Sequence, residues 1–170
     1  MYHQIKNVLI FSLILFFAFI LSNCKKTPTC HSQEINTGII IDNFDVLGKC
    51  YVFLEEDTFV INTLKEYQRL TGQIDSAARI YTGFTECDTV RLQSIDFDEI
   101  TLLGIFAQGS GSSVAFRRDV KADTANHTYI YTINVIECGE ANITELSMNW
   151  VLVPKLPEGY DVEFKILRNE

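Results

Sequence analysis

Proline, histidine and basic residues are all scarce in this chain of 170 residues, and each shortage removes a class of explanation. Only three prolines occur, Pro28, Pro154 and Pro157, so there is no proline-rich linker to divide the chain into domains. Of the three histidines, His31 lies in a short polar stretch and His127, in Asn126-His127-Thr128, reads as part of an ordinary turn. A Ser/His/Asp or Cys/His site needs a histidine fixed beside a nucleophile, and neither position offers that. Lys and Arg total 14 against 22 Asp and Glu, a net charge of −8, which excludes a phosphate-backbone binder. CxxC pairs are missing, which removes thioredoxin-type redox sites and zinc sites. No internal repeat or low-complexity tract is present. An apolar run of the roughly 20 residues that cross a bilayer as a helix is missing too.

What the chain does have is a 13-residue apolar run, Val8 to Ile20 (VLIFSLILFFAFI), broken only by Ser12. Lys6 is the only charged side chain before it, and Leu21-Ser22-Asn23-Cys24 comes directly after. A basic start and an apolar run of 7–15 residues form the signature of a secretory signal peptide. The four residues after the run resemble the lipobox of bacterial lipoproteins, with Asn23 where Gly, Ala or Ser is usual; relaxed lipoboxes of this kind are similar to those of Bacteroidetes. The resemblance implies that residues 1–23 are removed and that Cys24 carries a diacylglycerol thioether and an acylated amino terminus, with fatty chains such as palmitate. Each buried CH₂ contributes about 0.8 kcal/mol, so several chains give stable attachment to a bilayer where one would not. Of the 14 basic residues only Lys6 lies in 1–23, leaving 13 against 22 acidic residues, a net −9. A body this acidic is held off an anionic membrane rather than drawn onto it.

Beyond Cys24 stand Cys30, Cys50, Cys87 and Cys138, at spacings of 20, 37 and 51 residues. An even number in an exported chain suggests disulfides, with three possible connectivities and at least one bridge expected. Residues 24–33 read as the lipidated cysteine and a polar tether, and 34–170 as a single β-rich domain.

Within that domain Thr37–Ile41, Cys50–Leu54 and Thr58–Ile61 are short β-branched and aromatic runs. Thr63-Leu64-Lys65-Glu66 resembles a capping box, with Leu64, Tyr67 and Leu70 at helical spacing, and Gly72 is expected to end a helix over about 64–71. Thr101–Gln108 is a nearly continuous apolar strand and therefore central. Gly109-Ser-Gly-Ser-Ser113 reads as a hairpin connection to a strand over 114–120. Tyr129, Tyr131, Ile133 and Val135 share one face of the next strand, Leu146, Met148, Trp150 and Leu152 one face of another, and Tyr160, Val162, Phe164 and Ile166 complete the set. The expected fold is α+β, mostly β: an antiparallel sheet, sandwich or partly open barrel with one short helix.

Ile95-Asp96-Phe97, Thr101-Leu102-Leu103-Gly104 and Trp150-Val151-Leu152-Val153-Pro154-Lys155-Leu156-Pro157 form a series. It resembles small β-rich lipoproteins of Bacteroidetes with no assigned activity, and more distantly the C-terminal domain of a protease-complex regulatory subunit of spirochaetes. The likeness covers roughly residues 60–167 and implies no catalytic residues.

Other candidates have plainer readings. Asp96, Asp98 and Glu99 could ligate Ca²⁺, but the loop lacks EF-hand spacing and reads as the solvated start of a strand with Phe97 turned inward. Glu55-Glu56-Asp57 reads as a charged turn. Gly109–Ser113 lacks the helix and lysine of a phosphate loop. Arg117-Arg118 reads as a solvated strand face. Asp75-Ser76-Ala77, Asp88-Thr89-Val90 and Asp123-Thr124-Ala125 look like the O-glycosylation tripeptide of Bacteroidetes, which would modify Ser76, Thr89 and Thr124 in exposed loops. Asn126-His127-Thr128 and Asn142-Ile143-Thr144 match the N-glycosylation pattern, whose pathway is not expected here. The expectation is therefore a non-enzymatic lipoprotein of the outer membrane, needing no cofactor or metal, binding the bilayer through Cys24 and an envelope protein through its folded body. One alternative is a protease-regulating module that inserts residues 109–113 into a cleft; another is an enzyme using surface carboxylates.

Overall fold

A computed structural model describes residues 35–44, 56–80, 94–140 and 143–168. Within them lie strands β1 (Asn36–Gly38), β2 (Asp42–Asn43) and β3 (Thr58–Ile61), helix α1 (Leu64–Ile80), and strands β4 (Ile100–Ser110), β5 (Ser113–Asp123), β6 (Thr128–Cys138), β7 (Thr144–Pro154) and β8 (Asp161–Arg168). The strands make two four-stranded sheets, ordered β1-β5-β6-β8 and β2-β7-β4-β3. Among the described residues the chain is thus mostly β, a two-sheet sandwich with one helix, and is not closed into a barrel.

The second sheet is antiparallel throughout. The first is mixed: β5 and β6 are antiparallel, but β1 runs parallel to β5 and β8 parallel to β6. The cause is connectivity. After β6 the chain steps across to β7 in the antiparallel sheet and returns as β8, so it re-enters beside β6 in the same direction. β1 to β2 and β4 to β5 are likewise steps between sheets.

Two apolar layers result. Leu103, Ile105, Val120, Tyr131, Ile133, Val135, Val151 and Val153 fill the space between the sheets. On the far side of the antiparallel sheet, Ile61, Leu102 and Trp150 pack with Tyr67 and Leu70 of α1 and with Phe44 and Phe97. That sheet is buried on both faces, which is why β4 reads as an unbroken apolar run. Its inward residues taper from Leu103 and Ile105 through Ala107 to Gly109, where an added Cβ would stand 2.5 Å from Val114 Cγ1. There is thus no room for a side chain where β4 approaches β5. On the helix side, a Cβ at Gly104 would lie 2.2 Å from the Trp150 indole. Gly104 pairs with Trp150 on one side and Phe59 on the other, and the two rings meet over it at 5.3 Å.

The helix starts as expected. Glu66 N donates to Thr63 Oγ1 at 3.2 Å, and Glu66 Oε2 accepts from Thr63 N at 3.0 Å and Asn62 N at 2.8 Å. It does not stop at Gly72 but continues to Ile80. Gly72 has no left-handed φ and so does not act as a cap. Glycine inside a helix costs only roughly 1 kcal/mol, which does not by itself end one. Ser76 therefore lies on α1 and not in a loop.

Two further expectations are corrected. Gly109–Ser113 is not a hairpin connection, because β4 and β5 belong to different sheets. Thr37–Ile41 is not one strand: β1 ends at Gly38, with φ of 78°, and the isoleucines after it carry the chain across to β2. Leu146, Met148, Trp150 and Leu152 share a face of β7 as expected; it is the helix side, while Asn149, Val151 and Val153 face the other sheet. Cys50–Leu54 lies outside the described residues.

Candidate functional site

Among the described residues one polar cluster is internal. Arg118 shares the inward side of β5 with Val114, Phe116 and Val120 and is 8% exposed. Its Nε donates to Asn149 Oδ1 and its Nη1 to Asn43 Oδ1, both at 3.2 Å. Asn149, fully buried, donates from Nδ2 to Ile105 O at 3.4 Å and Ser147 O at 3.2 Å. Tyr131 Oη donates to Asn149 O at 3.1 Å. Burial pushes the Tyr131 phenol far above its ordinary range, with the Arg118 charge only partly opposing. A phenol held neutral in this way donates a hydrogen bond and does not serve as a base near neutral pH. The cluster therefore ties together β2, β5, β6 and β7. The solvated-face reading fails for Arg118 but fits Arg117, which is exposed. The sequence carries the signal: Arg118 has the parity of Val114, Phe116 and Val120, and Asn149 that of Val151 and Val153.

A second cluster forms where the three motifs of the IDF, TLLG and PKLP series meet. Lys155 Nζ donates to Phe97 O at 2.6 Å and to Asn62 O at 2.8 Å, and Lys155 N donates to Glu99 O at 2.8 Å. Thr101 Oγ1 donates to Asn62 Oδ1 at 2.6 Å and accepts from Leu156 N at 2.9 Å. Phe97, 8% exposed, packs against Tyr67 at 5.8 Å between centroids. Asp96 Oδ1 accepts from Asp98 N, and Asp96 O from Glu99 N and Ile100 N, so the acidic segment is a hydrogen-bonded turn with exposed carboxylates. These motifs lock the end of the antiparallel sheet to the start of α1. Asn62 and Lys155 are invisible as partners in the sequence because they stand 93 residues apart.

The remaining candidates are dispersed. A groove between β3 and α1, bordered by Glu56, Phe59, Glu66, Arg69 and Gln73, holds about 90 Å³, against the roughly 300 Å³ where ligand pockets begin. Glu66 there is occupied by the helix cap. Glu56 and Asp57 are exposed; Glu55 lies outside the described residues. His127 takes a left-handed φ of 50° in the β5–β6 turn and lies 5.1 Å from the Tyr160 ring. In the same turn Asp123 accepts from Ala125 N, Asn126 N and Asn126 Nδ2, and the bonds from Asn126 hold its carboxyl below the usual carboxylate range. Thr124 is exposed in that turn. Among the described residues no group of three or more His, Cys, Asp or Glu is placed to hold a metal, and no helix is long and apolar enough to cross a membrane.

The 109–113 segment does not project. Gly109 and Gly111 are buried, Gly111 N donates to Ile143 O at 3.0 Å, and Ser112 N donates to Cys138 O at 2.8 Å. Cys138 is disulfide-bonded. Cys24, Cys30, Cys50, Cys87, Thr89 and Asn142 lie outside the described residues. Comparison with family models, with curated proteins and with solved structures finds no match.

Proposed function

We propose that this chain is an outer-membrane lipoprotein, acylated at Cys24, whose β-sandwich serves as a binding or structural module and not as an enzyme. The observation that carries the proposal is the Val8–Ile20 apolar run ending at Leu21-Ser22-Asn23-Cys24. The chain beyond Cys24 fits a body on a leash. Ten tether residues, 24–33, reach at most about 35 Å when extended. The buried Arg118 and the half-buried Lys155 have their polar groups occupied by partners within the fold. The partner is an envelope protein. The protease-regulating alternative draws no support from a 109–113 segment tied down at both Gly111 and Ser112.

Mass spectrometry of the membrane-extracted chain tests the anchor. The expected product begins at Cys24 and carries the mass of its acyl chains, and a Cys24→Ala variant leaves the membrane fraction. A free thiol at Cys24, or a variant that still sediments with membranes, refutes the anchor. Crosslinking in intact cells tests the module: one reproducible envelope partner is expected, and none overturns that part of the reading.

A further inference from the structure

The edges of the two sheets are unequal. β1 has 3 residues, β2 has 2 and β3 has 4, while β8 at the edge of the mixed sheet has 8 and contains no proline. Asp161 N donates to His127 O at 3.0 Å, so the odd-numbered residues of β8 turn their backbone polar groups toward β6. Val162, Phe164, Ile166 and Arg168 turn theirs to the open edge, where no described residue bonds to them. Ile166, on the same inward side as Val162 and Phe164, is 42% exposed.

We propose that β8 is a self-pairing edge: two copies of this chain join antiparallel along it, about a two-fold axis at Phe164, and fuse their mixed sheets into one of eight strands. Charge selects that register. The two inward faces stay on one side only if odd residues face odd and even face even. An axis at Glu163 sets that carboxylate against its own copy, and an axis at Lys165 sets two ammonium groups together. An axis at Phe164 sets Glu163 against Lys165 of the second copy, twice. Within one strand the two side chains already touch at 3.0 Å, with exposures of 42% for Lys165 and 51% for Glu163. Pairing would extend that contact into an alternating ladder of four charges. On the inward side the same register places Val162 over Ile166 of the second copy and Phe164 over itself. The pairs at Val162–Ile166, Phe164–Phe164 and Ile166–Val162 would each exchange their edge hydrogen bonds. A lysine in mid-edge normally discourages pairing; here a glutamate two residues earlier supplies its partner. The inference does not rest on the lipid anchor.

Sedimentation velocity of the full-length chain in detergent tests it. One strand pair is a small interface, so a dissociation constant on the order of 10 µM is expected. Glu163→Lys, at an exposed position, replaces both attractions with repulsions and should weaken the dimer at least about tenfold. Lys165→Glu alone should do the same, and the double variant E163K/K165E should restore the dimer. A chain that stays monomeric at about 0.5 mM overturns the proposal. So does a dimer that ignores both single substitutions, as two copies merely sharing a micelle would.

Discussion

The two sheets of this sandwich are built from strands of similar length but live in different environments. The mixed sheet has one face against its neighbour and one toward solvent: in β5 buried Val114, Phe116 and Val120 alternate with exposed Arg117 and Lys121. The antiparallel sheet lies between the other sheet and α1, and β4 is buried almost end to end. The difference teaches where tolerance should lie. A change on the outer face of the mixed sheet meets water, whereas either face of the antiparallel sheet meets packed side chains that must move.

The sharpest test of that contrast is a single enlargement in each sheet. Gly104→Val in β4 drives methyl groups into the Trp150 indole and should cost about 3 kcal/mol or more, while Ala115→Val on the outer side of β5 should stay within about 0.5 kcal/mol, both read from urea midpoints. Equal effects would break the comparison. An intermediate effect is expected in the seam between the sheets. Tyr131→Phe removes the donor to Asn149 O and should cost about 1 kcal/mol at neutral pH. It should also change the alkaline limb. Burial raises the Tyr131 pKa above its ordinary value of 10.0, so the neutral phenol's stabilisation is complete below pH 10 and is lost as pH rises further, because the unfolded chain ionises first. The variant should therefore lose stability less steeply above pH 10 than the parent, by thermal midpoints across that range. The smallest effect has the opposite sign. Gly72→Ala on α1 meets nothing within 4 Å and should stabilise by about 0.5–1 kcal/mol, measured by the same denaturation.

The same contrast governs how far the sequence can be read. β6 shows its buried face because Tyr129, Tyr131, Ile133 and Val135 alternate with half-exposed residues, the pattern of a sheet wetted on one side. β4 shows its central place through continuity. β7 shows one face through Leu146, Met148, Trp150 and Leu152, but it is packed on both faces, and which layer each face meets is not written locally. The partner of a strand is a non-local fact: Gly109–Ser113 has the composition of a hairpin turn, and nothing local says that β5 joins the other sheet. Arg118 is readable by parity, yet its residue type argues for solvent, since a buried guanidinium requires carbonyl partners such as Asn149 and Asn43, which lie 31 and 75 residues away. The capping box is legible because all its atoms lie within four residues.

The repeated stepping between layers bears on how the chain acquires its shape. The mixed sheet cannot be completed before the antiparallel one, because β5 and β6 lie between two visits to β7's sheet and the final strand closes the mixed one. Assembly therefore waits on contacts far apart in the sequence, which slows folding relative to chains built from local turns. Until β8 arrives, β6 keeps one side of its backbone without a strand partner, so the mixed sheet is the last part of the molecule to close.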